Sequence, residues 1–359
     1  MIEGPRAAKE EELPAVVRLS NAIFYPDGSV DMGRVLPTLF AKDNLENLRI
    51  FANDGALVAL AGMTVRDLAI DEVVIRAACI GSVCTRADHR GRGLAARLTE
   101  DCIASARAHG ASLILVSGGR GLYRRIGCID AGLFRVIRLG RAGRHPEVSC
   151  RVREWTESDL PDLQALHERE RVRFMRTPGE MPALLGTRAL RCRPARTWIV
   201  RVGHHAAAYL CISNSTIREL AGSRHAVLSA VPAILDASGE EWLDLEVPAS
   251  DPGMISLAAS FDLAGRITGM DGTLKIIDRP SFFAALSPRL PASLSVECGD
   301  AVELRAGGES MRVSSDEDLA ALVFGSVERP SPDPGQGRLG GLLRGVFPLP
   351  LPGYGLNYI

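Results

Sequence analysis

The sequence has almost no net charge. Its 42 Lys and Arg against 43 Asp and Glu leave −1 at pH 7. A balance this even gives no general attraction to nucleic acid or to an anionic membrane, so neither is expected as a partner. Paired cysteines are also lacking. The eight cysteines, at 79, 84, 102, 128, 150, 192, 211 and 298, form no Cys-x-x-Cys, and several sit in apolar runs. Reduced, buried thiols in a cytoplasmic protein are the expectation. The seven histidines show no ligand spacing, and the adjacent His204 and His205 point to opposite faces of a strand, so no metal is expected. There is no run of 18 apolar residues, and the charged stretch Ile2 to Glu12 does not read as a signal peptide.

What is present is 359 residues with 46% hydrophobic content, enough for two or three packed domains at roughly 100–200 residues each. The most informative stretch is Ile80-Gly-Ser-Val-Cys-Thr-Arg-Ala-Asp-His-Arg-Gly-Arg-Gly-Leu-Ala95. A strand over 72–84 ends in a polar turn, which passes through Arg90, Gly91, Arg92 and Gly93 into a helix over 91–109. Such a turn suits a pyrophosphate. Bare backbone at the two glycines permits close approach, and the free N–H groups and positive dipole of the helix start face the anion. The plain alternative is an ordinary Gly-rich turn.

Two ligand-binding patterns fit the spacing. Gly91-x-Gly93-x-x-Ala96 matches the dinucleotide fingerprint, which expects a carboxylate about 20 positions on, at the end of the next strand. That strand, Leu113–Val116, ends in Ser117-Gly118-Gly119 without one. The other pattern is Arg90-x-x-Gly93-x-Ala95, followed by Ser117-Gly-Gly-Arg-Gly-Leu-Tyr-Arg-Arg-Ile-Gly-Cys128. Tyr123 in this second cluster is a candidate acid. A phenol of pKa about 10 protonates a leaving thiolate only if well placed; otherwise its ring packs on the sheet edge.

Around these motifs the chain reads as three units. Residues 1–145 give strand, helix over 10–23, helix over 35–41, strands over 49–53, 56–68 and 72–84, the signature helix, strand 113–116, a short helix 121–125 and strand 131–139. Gly140 to Val148 reads as a linker. Residues 146–272 repeat the element order, but around Gly222 one glycine survives of the two-arginine, two-glycine loop. Residues 273–359 open with Leu274-Lys-Ile-Ile-Asp-Arg-Pro-Ser-Phe and end in an apolar tail, Phe347 to Ile359, with no charged side chain. A tail of that composition is expected to pack against something.

The signature loop and Leu122-Tyr-Arg-Arg-Ile-Gly127 resemble those of GNAT N-acetyltransferases, and the three-part layout resembles the Eis-like branch. The resemblance implies an α+β fold: tandem GNAT domains, each a mixed sheet flanked by helices, the second without cofactor, then a small sterol-carrier-like domain. It implies acetyl-CoA along the splayed strand, with backbone of Val83, Cys84 and Thr85 on the pantetheine and the amides from Arg90, Gly91, Arg92, Gly93 and Leu94 to Ala95 on the pyrophosphate. It further implies Tyr123 as general acid, Ser117 near the thiol, and the α-carboxylate of Ile359 as base or its assistant. The expected reaction is direct acetyl transfer to a primary amine of an aminoglycoside, a polyamine or a lysine side chain, in a homo-oligomer (trimer or hexamer). A non-catalytic CoA- or lipid-binding sensor is the competing function. Cys84 and Cys128 are expected as core residues rather than nucleophiles, and Phe24, Tyr25 and Phe40 are candidates to line the acceptor pocket. Asp27, Asp31, Asp43 and Glu46 would favour a cationic acceptor if they reached it.

Overall fold

The first sheet draws strands from all three expected units. In the computed structural model, which describes residues 2–119, 121–141, 143 and 145–359, β1 (Ile2–Ala7), β2 (Leu48–Asn53), β3 (Ala56–Ile70), β4 (Val73–Thr85) and β5 (Leu113–Val116) are neighbours in chain order. The pairs from β1 to β4 are antiparallel; β4 and β5 are parallel. Helix α1 (Leu13–Phe24) and the one-turn α2 (Met32–Val35) cover one face, and α3 (Leu94–Ala108) covers the other. Every residue of β5 is buried, as a strand enclosed on both faces requires.

The helix expected over 35–41 is instead that single turn. Asp31 caps it by accepting from the Gly33 N–H at 3.1 Å. Pro37 disfavours helical backbone at Leu36, which leaves the α region at φ −122° and ψ 63°. Leu36, Leu39 and Phe40 are buried from an irregular segment. Helix α3 follows its sequence pattern: Leu94, Leu98, Cys102 and Ala106 recur every fourth residue and all are buried. Full burial of Leu98 alone contributes about 2 kcal/mol.

After α4 (Gly121–Arg125), strand β6 (Leu133–Gly140) does not return to β5. It pairs over its whole length with β14 (Trp242–Pro248), in a second sheet. The expected cut at 145 therefore falls after a strand of the second sheet. Between them in the chain lie β7 (Arg151–Glu154), α5 (Leu160–Glu168), β8 (Val172–Phe174), α6 (Glu180–Gly186) and the small hairpin β9 (Ala189–Leu190) and β10 (Arg193–Pro194). The meander β11 (Arg196–Val202), β12 (His205–Ser213) and β13 (Thr216–Gly222) and helix α7 (Arg224–Ser238) complete the run. Helix α8 (Pro252–Phe261) and β15 (Gly265–Gly269) follow, and the sheet order is β15-β6-β14-β13-β12-β11-β7. The strand beside β5 on its other side is β16 (Thr273–Ile276), antiparallel, while β8 extends the far end of β3 through Leu68↔Phe174.

The second sheet repeats the first in one respect. Strand β13 runs parallel to β14 and enters α7 through Gly222, as β4 runs parallel to β5 and enters α3. At this second helix start the Gly222 N–H donates to Glu170 at 2.7 Å, and Arg224 binds Glu170 and Asp251, each at 2.7 Å. The protein's own carboxylates thus hold the position a phosphate would take.

The remaining elements are α9 (Arg279–Leu286), the meander β17 (Ser295–Cys298), β18 (Val302–Ala306) and β19 (Glu309–Val313), then α10 (Asp316–Phe324) and α11 (Arg338–Val346). Phe282 packs edge-on against Phe283 at 5.6 Å and Phe324 at 5.8 Å, in a core continuous with the α1 face of the first sheet. The tail then threads between the two sheets, burying Leu349, Leu351, Tyr354, Leu356 and Ile359. Among the described residues no helix is long and apolar enough to cross a membrane.

Candidate active site

The pairing of β4 with β5 stops at Ile80↔Val116. Beyond it Ser82 adopts φ +53°, and the register with β3 shifts between Gly62↔Gly81 and Leu60↔Cys84. One extra residue in β4 makes a bulge that turns the strand away from β5. The result is a wedge-shaped opening in which the free edge of β4 faces Ser117 and α4. Ser82 is fixed by a 2.6 Å hydrogen bond between its hydroxyl and that of Ser20 on α1.

The chain terminus sits in this wedge. The Ser117 hydroxyl donates to the terminal carboxylate of Ile359. Gly81 makes room for it: a Cβ there would lie 2.5 Å from the terminal carbonyl carbon. Ile359, Ser117, Tyr123, Ser82 and Val83 all border one cavity of about 130 Å³, closed by Phe24, Tyr25, Met32 and Leu36 on one side and by Arg191, Cys192 and Tyr358 on the other. Tyr123, on α4, is 6% exposed. Phe24 and Tyr25 thus border this cavity, whereas Phe40 packs in the core. Tyr25 is pushed up to about 12 by burial and by its contact with Cys192, so it stays a neutral phenol.

Residues of the signature lie beyond the other mouth of the wedge. Val83 and Cys84 are buried on β4, and the Thr85 hydroxyl is buried without a hydrogen-bond partner. Arg90, Gly91, Arg92 and Gly93 are exposed, ahead of buried Leu94 and half-buried Ala95. Gly91 and Gly93 adopt φ +75° and +73°, which only glycine takes without strain. No side chain caps α3, so its first N–H groups are available to an anion. The Arg90 side chain folds back to the Thr85 carbonyl at 3.2 Å and Arg92 to that of Asp88 at 3.4 Å, leaving both beside the helix start. An orphaned hydroxyl, an uncapped helix start and two arginines form a cradle that fits a pyrophosphate. Arg120 of the second cluster lies outside the described residues.

The terminus is held from the second sheet. Arg176 and Glu219 form a buried ion pair at 2.7 Å. The same Arg176 donates to the Asn357 side chain at 2.6 and 2.9 Å, and Glu219 accepts from Tyr209 and from the Leu356 N–H, each at 2.8 Å. Burial alone would raise the Glu219 carboxyl; the Arg176 charge and hydrogen bonds outweigh it and hold the group low, at about 2. Phe174 stacks on Tyr354 at 6.2 Å, Tyr354 meets Tyr358 edge-on at 5.6 Å, and the Arg191 guanidinium lies 5.0 Å from the Tyr358 ring centre.

Burial pushes the Cys79, Cys102 and Cys128 thiols up to about 12, so none is a nucleophile near neutral pH. Cys84 is buried on β4. The four early carboxylates are exposed, and none borders the cavity. Asp27 binds Ser29, and Asp31 caps α2. His89 is buried next to Asp88. The sequence reading missed Ser82, Arg191, Cys192, Tyr358 and the Arg176–Glu219 pair. No local pattern marks them, because each matters through a contact between distant segments.

Residues 5–129 match the family model described as an acetyltransferase (GNAT) domain. Three solved structures are similar over most of their length. A GCN5-related N-acetyltransferase from Anabaena variabilis has 15% identity and a TM-score of 0.66, covering 97% of both chains. Eis1 from Mycobacterium abscessus has 15% identity and a TM-score of 0.63, covering 98% of this chain and 99% of that one. A probable N-acyltransferase from Enterococcus faecalis has 14% identity and a TM-score of 0.63, covering 88% and 85%. At these identities the likeness is one of fold. No curated protein matches the sequence. Residues 5–129 thus form a GNAT acetyltransferase domain, which supports an N-acetyltransferase, within an overall fold shared with these solved structures.

Proposed function

We propose that the chain transfers acetyl from acetyl-CoA directly to a primary amine in the wedge between β4 and β5. The observation that carries this reading is the Ile359 carboxylate. It lies in the same 130 Å³ cavity as Tyr123 and accepts a hydrogen bond from Ser117. Acetyl-CoA supplies the activated acyl group, its pyrophosphate on the start of α3 and its pantetheine along Val83, Cys84 and Thr85. The Ile359 carboxylate takes a proton from the acceptor's ammonium group, and Ser117 orients that carboxylate. The amine nitrogen bonds to the carbonyl carbon, the C–S bond breaks, and the Tyr123 hydroxyl gives its proton to the leaving thiolate. The acylated nitrogen gives its remaining extra proton to the tyrosinate, which restores Tyr123, and the Ile359 carboxyl releases its proton to solvent. The third unit, read as sterol-carrier-like, serves as the scaffold that delivers the tail, and assembly into a trimer or hexamer belongs to the same reading.

The test is a thiol-release assay with acetyl-CoA and a panel of primary amines, on the full chain and on a variant extended beyond Ile359. The expected result is amine-dependent release by the full chain and its loss in the extended variant, which still gains thermal stability from acetyl-CoA. Unchanged turnover with the extension removes the carboxylate from the mechanism.

A further inference from the structure

The reaction cavity, at about 130 Å³, holds the reacting end of an acceptor and little more. A second cavity of about 670 Å³ lies between the two sheets and the tail. One side chain, Arg191, borders both. The wall between them is otherwise the tail itself, with Tyr354 facing the large cavity and Tyr358 the small one.

The charges around the large cavity are unequal. Nine arginines border it against six carboxylates. Some carboxylates serve two arginines: Asp71 binds both Arg171 and Arg289, and Asp271 binds Arg191 with Arg218 3.7 Å away. Arg173 and Arg344 donate to the backbone carbonyls of Glu170 and Gly335 instead of to carboxylates. Burial and the neighbouring charge of Arg191 hold the Arg218 guanidinium below its usual pKa, although Glu246 binds it at 2.7 Å. Positive charge is therefore in excess around the cavity, carried mainly by the exposed Arg169, Arg171 and Arg344 at its rim, and an anion entering there meets a net positive lining. A polycation meets the opposite: among the described residues only the Ile359 carboxylate is negative in the small cavity, and the net positive lining of the large cavity disfavours a polycation.

We propose, resting on the transferase reading above, that the large cavity receives the body of the acceptor. On this reading the acceptor is a primary amine whose remainder carries carboxylate or phosphate groups, and Arg191 is the residue that selects for them. Arg191 borders both cavities, and its planar guanidinium is suited to paired hydrogen bonds with a carboxylate or a phosphate.

The experiment compares 2-aminoethylphosphonate and glutamate with putrescine as acceptors for the full chain. Thiol release is the kinetic readout, and calorimetric binding with acetyl-CoA absent is the second. The anionic amines are expected to show at least tenfold higher kcat/KM than putrescine. Their binding should weaken as salt is raised, and Arg191→Gln should raise their KM about tenfold without changing the KM for acetyl-CoA. Arg344→Gln, at an exposed position on the cavity wall, supplies the same comparison if Arg191→Gln does not fold. Preference for putrescine, or anionic binding indifferent to both variants, overturns the inference while leaving the transferase reading standing. Anionic binding without turnover of any amine supports the inference and refutes the transferase reading.

Discussion

The Leu356 N–H donates to the Glu219 carboxylate at 2.8 Å, so a buried acid of the second sheet grips the chain three residues before its end. Glu219 is in turn neutralised by Arg176, which also holds Asn357. Both Leu356 and Asn357 are buried, and Ile359 reaches the wedge in the first sheet. The second unit has its own carboxylate where a phosphate would sit, and its contribution to the site is this clamp on the tail.

Glu219→Gln leaves Arg176 buried without a counter-charge. We expect a loss on the order of 3 kcal/mol in chemical denaturation. Turnover should fall further than the stability loss explains, with acetyl-CoA binding retained, because the carboxylate of Ile359 is no longer held. Proteolysis at the tail of the folded variant checks the release directly.

The same residue sets a pH dependence. The Glu219 carboxyl is lower in the folded chain than the ordinary 4.5, at about 2. A depressed carboxyl contributes stability that is complete above pH 4.5 and is lost as pH falls toward about 2. Acid titration of unfolding free energy should therefore show a steeper decline for the wild type than for Glu219→Gln in that window. Parallel curves would remove Glu219 as a source of acid sensitivity.

Gly81→Ala places a methyl group against the Ile359 carboxylate. The terminus must shift, and kcat should fall about a hundredfold while the melting temperature changes little. Wild-type kcat in this variant would mean that the terminus does no chemistry.

Tyr123→Phe keeps the ring and removes the proton. The expected loss is at least a hundredfold in kcat, with the KM for acetyl-CoA unchanged. Steady-state kinetics separates the two parameters, and an undiminished kcat excludes Tyr123 as the acid.

Gly93→Ala meets no atom within 4 Å, yet the residue sits at φ +73°. Its cost is one of backbone conformation, about 1 kcal/mol. Titration with acetyl-CoA should show weakened binding, since the loop's amides are re-aimed; binding at wild-type strength would place the pyrophosphate elsewhere.

Local chemistry sufficed for much of the fold and part of the site. The Leu94, Leu98, Cys102, Ala106 spacing marks α3, and Gly91 and Gly93 mark the turn before it, because helix periodicity and positive φ are properties of a few adjacent residues. The short helix over 121–125 that carries Tyr123 was legible for the same reason. The apolar tail announced that it is packed, since chain without charge does not stay in water. Where it packs was decided only in three dimensions. Sheet partners are chosen by burial across long separations, so β16 pairs with β5, and β6 with β14, without a local sign. The bulge at Ser82, the grip of Glu219 on Leu356 and the position of Arg191 between two cavities depend on such pairings. By itself the sequence determined which loop can hold the donor; tertiary structure decided what faces that donor, because those side chains meet only after distant strands have found their register.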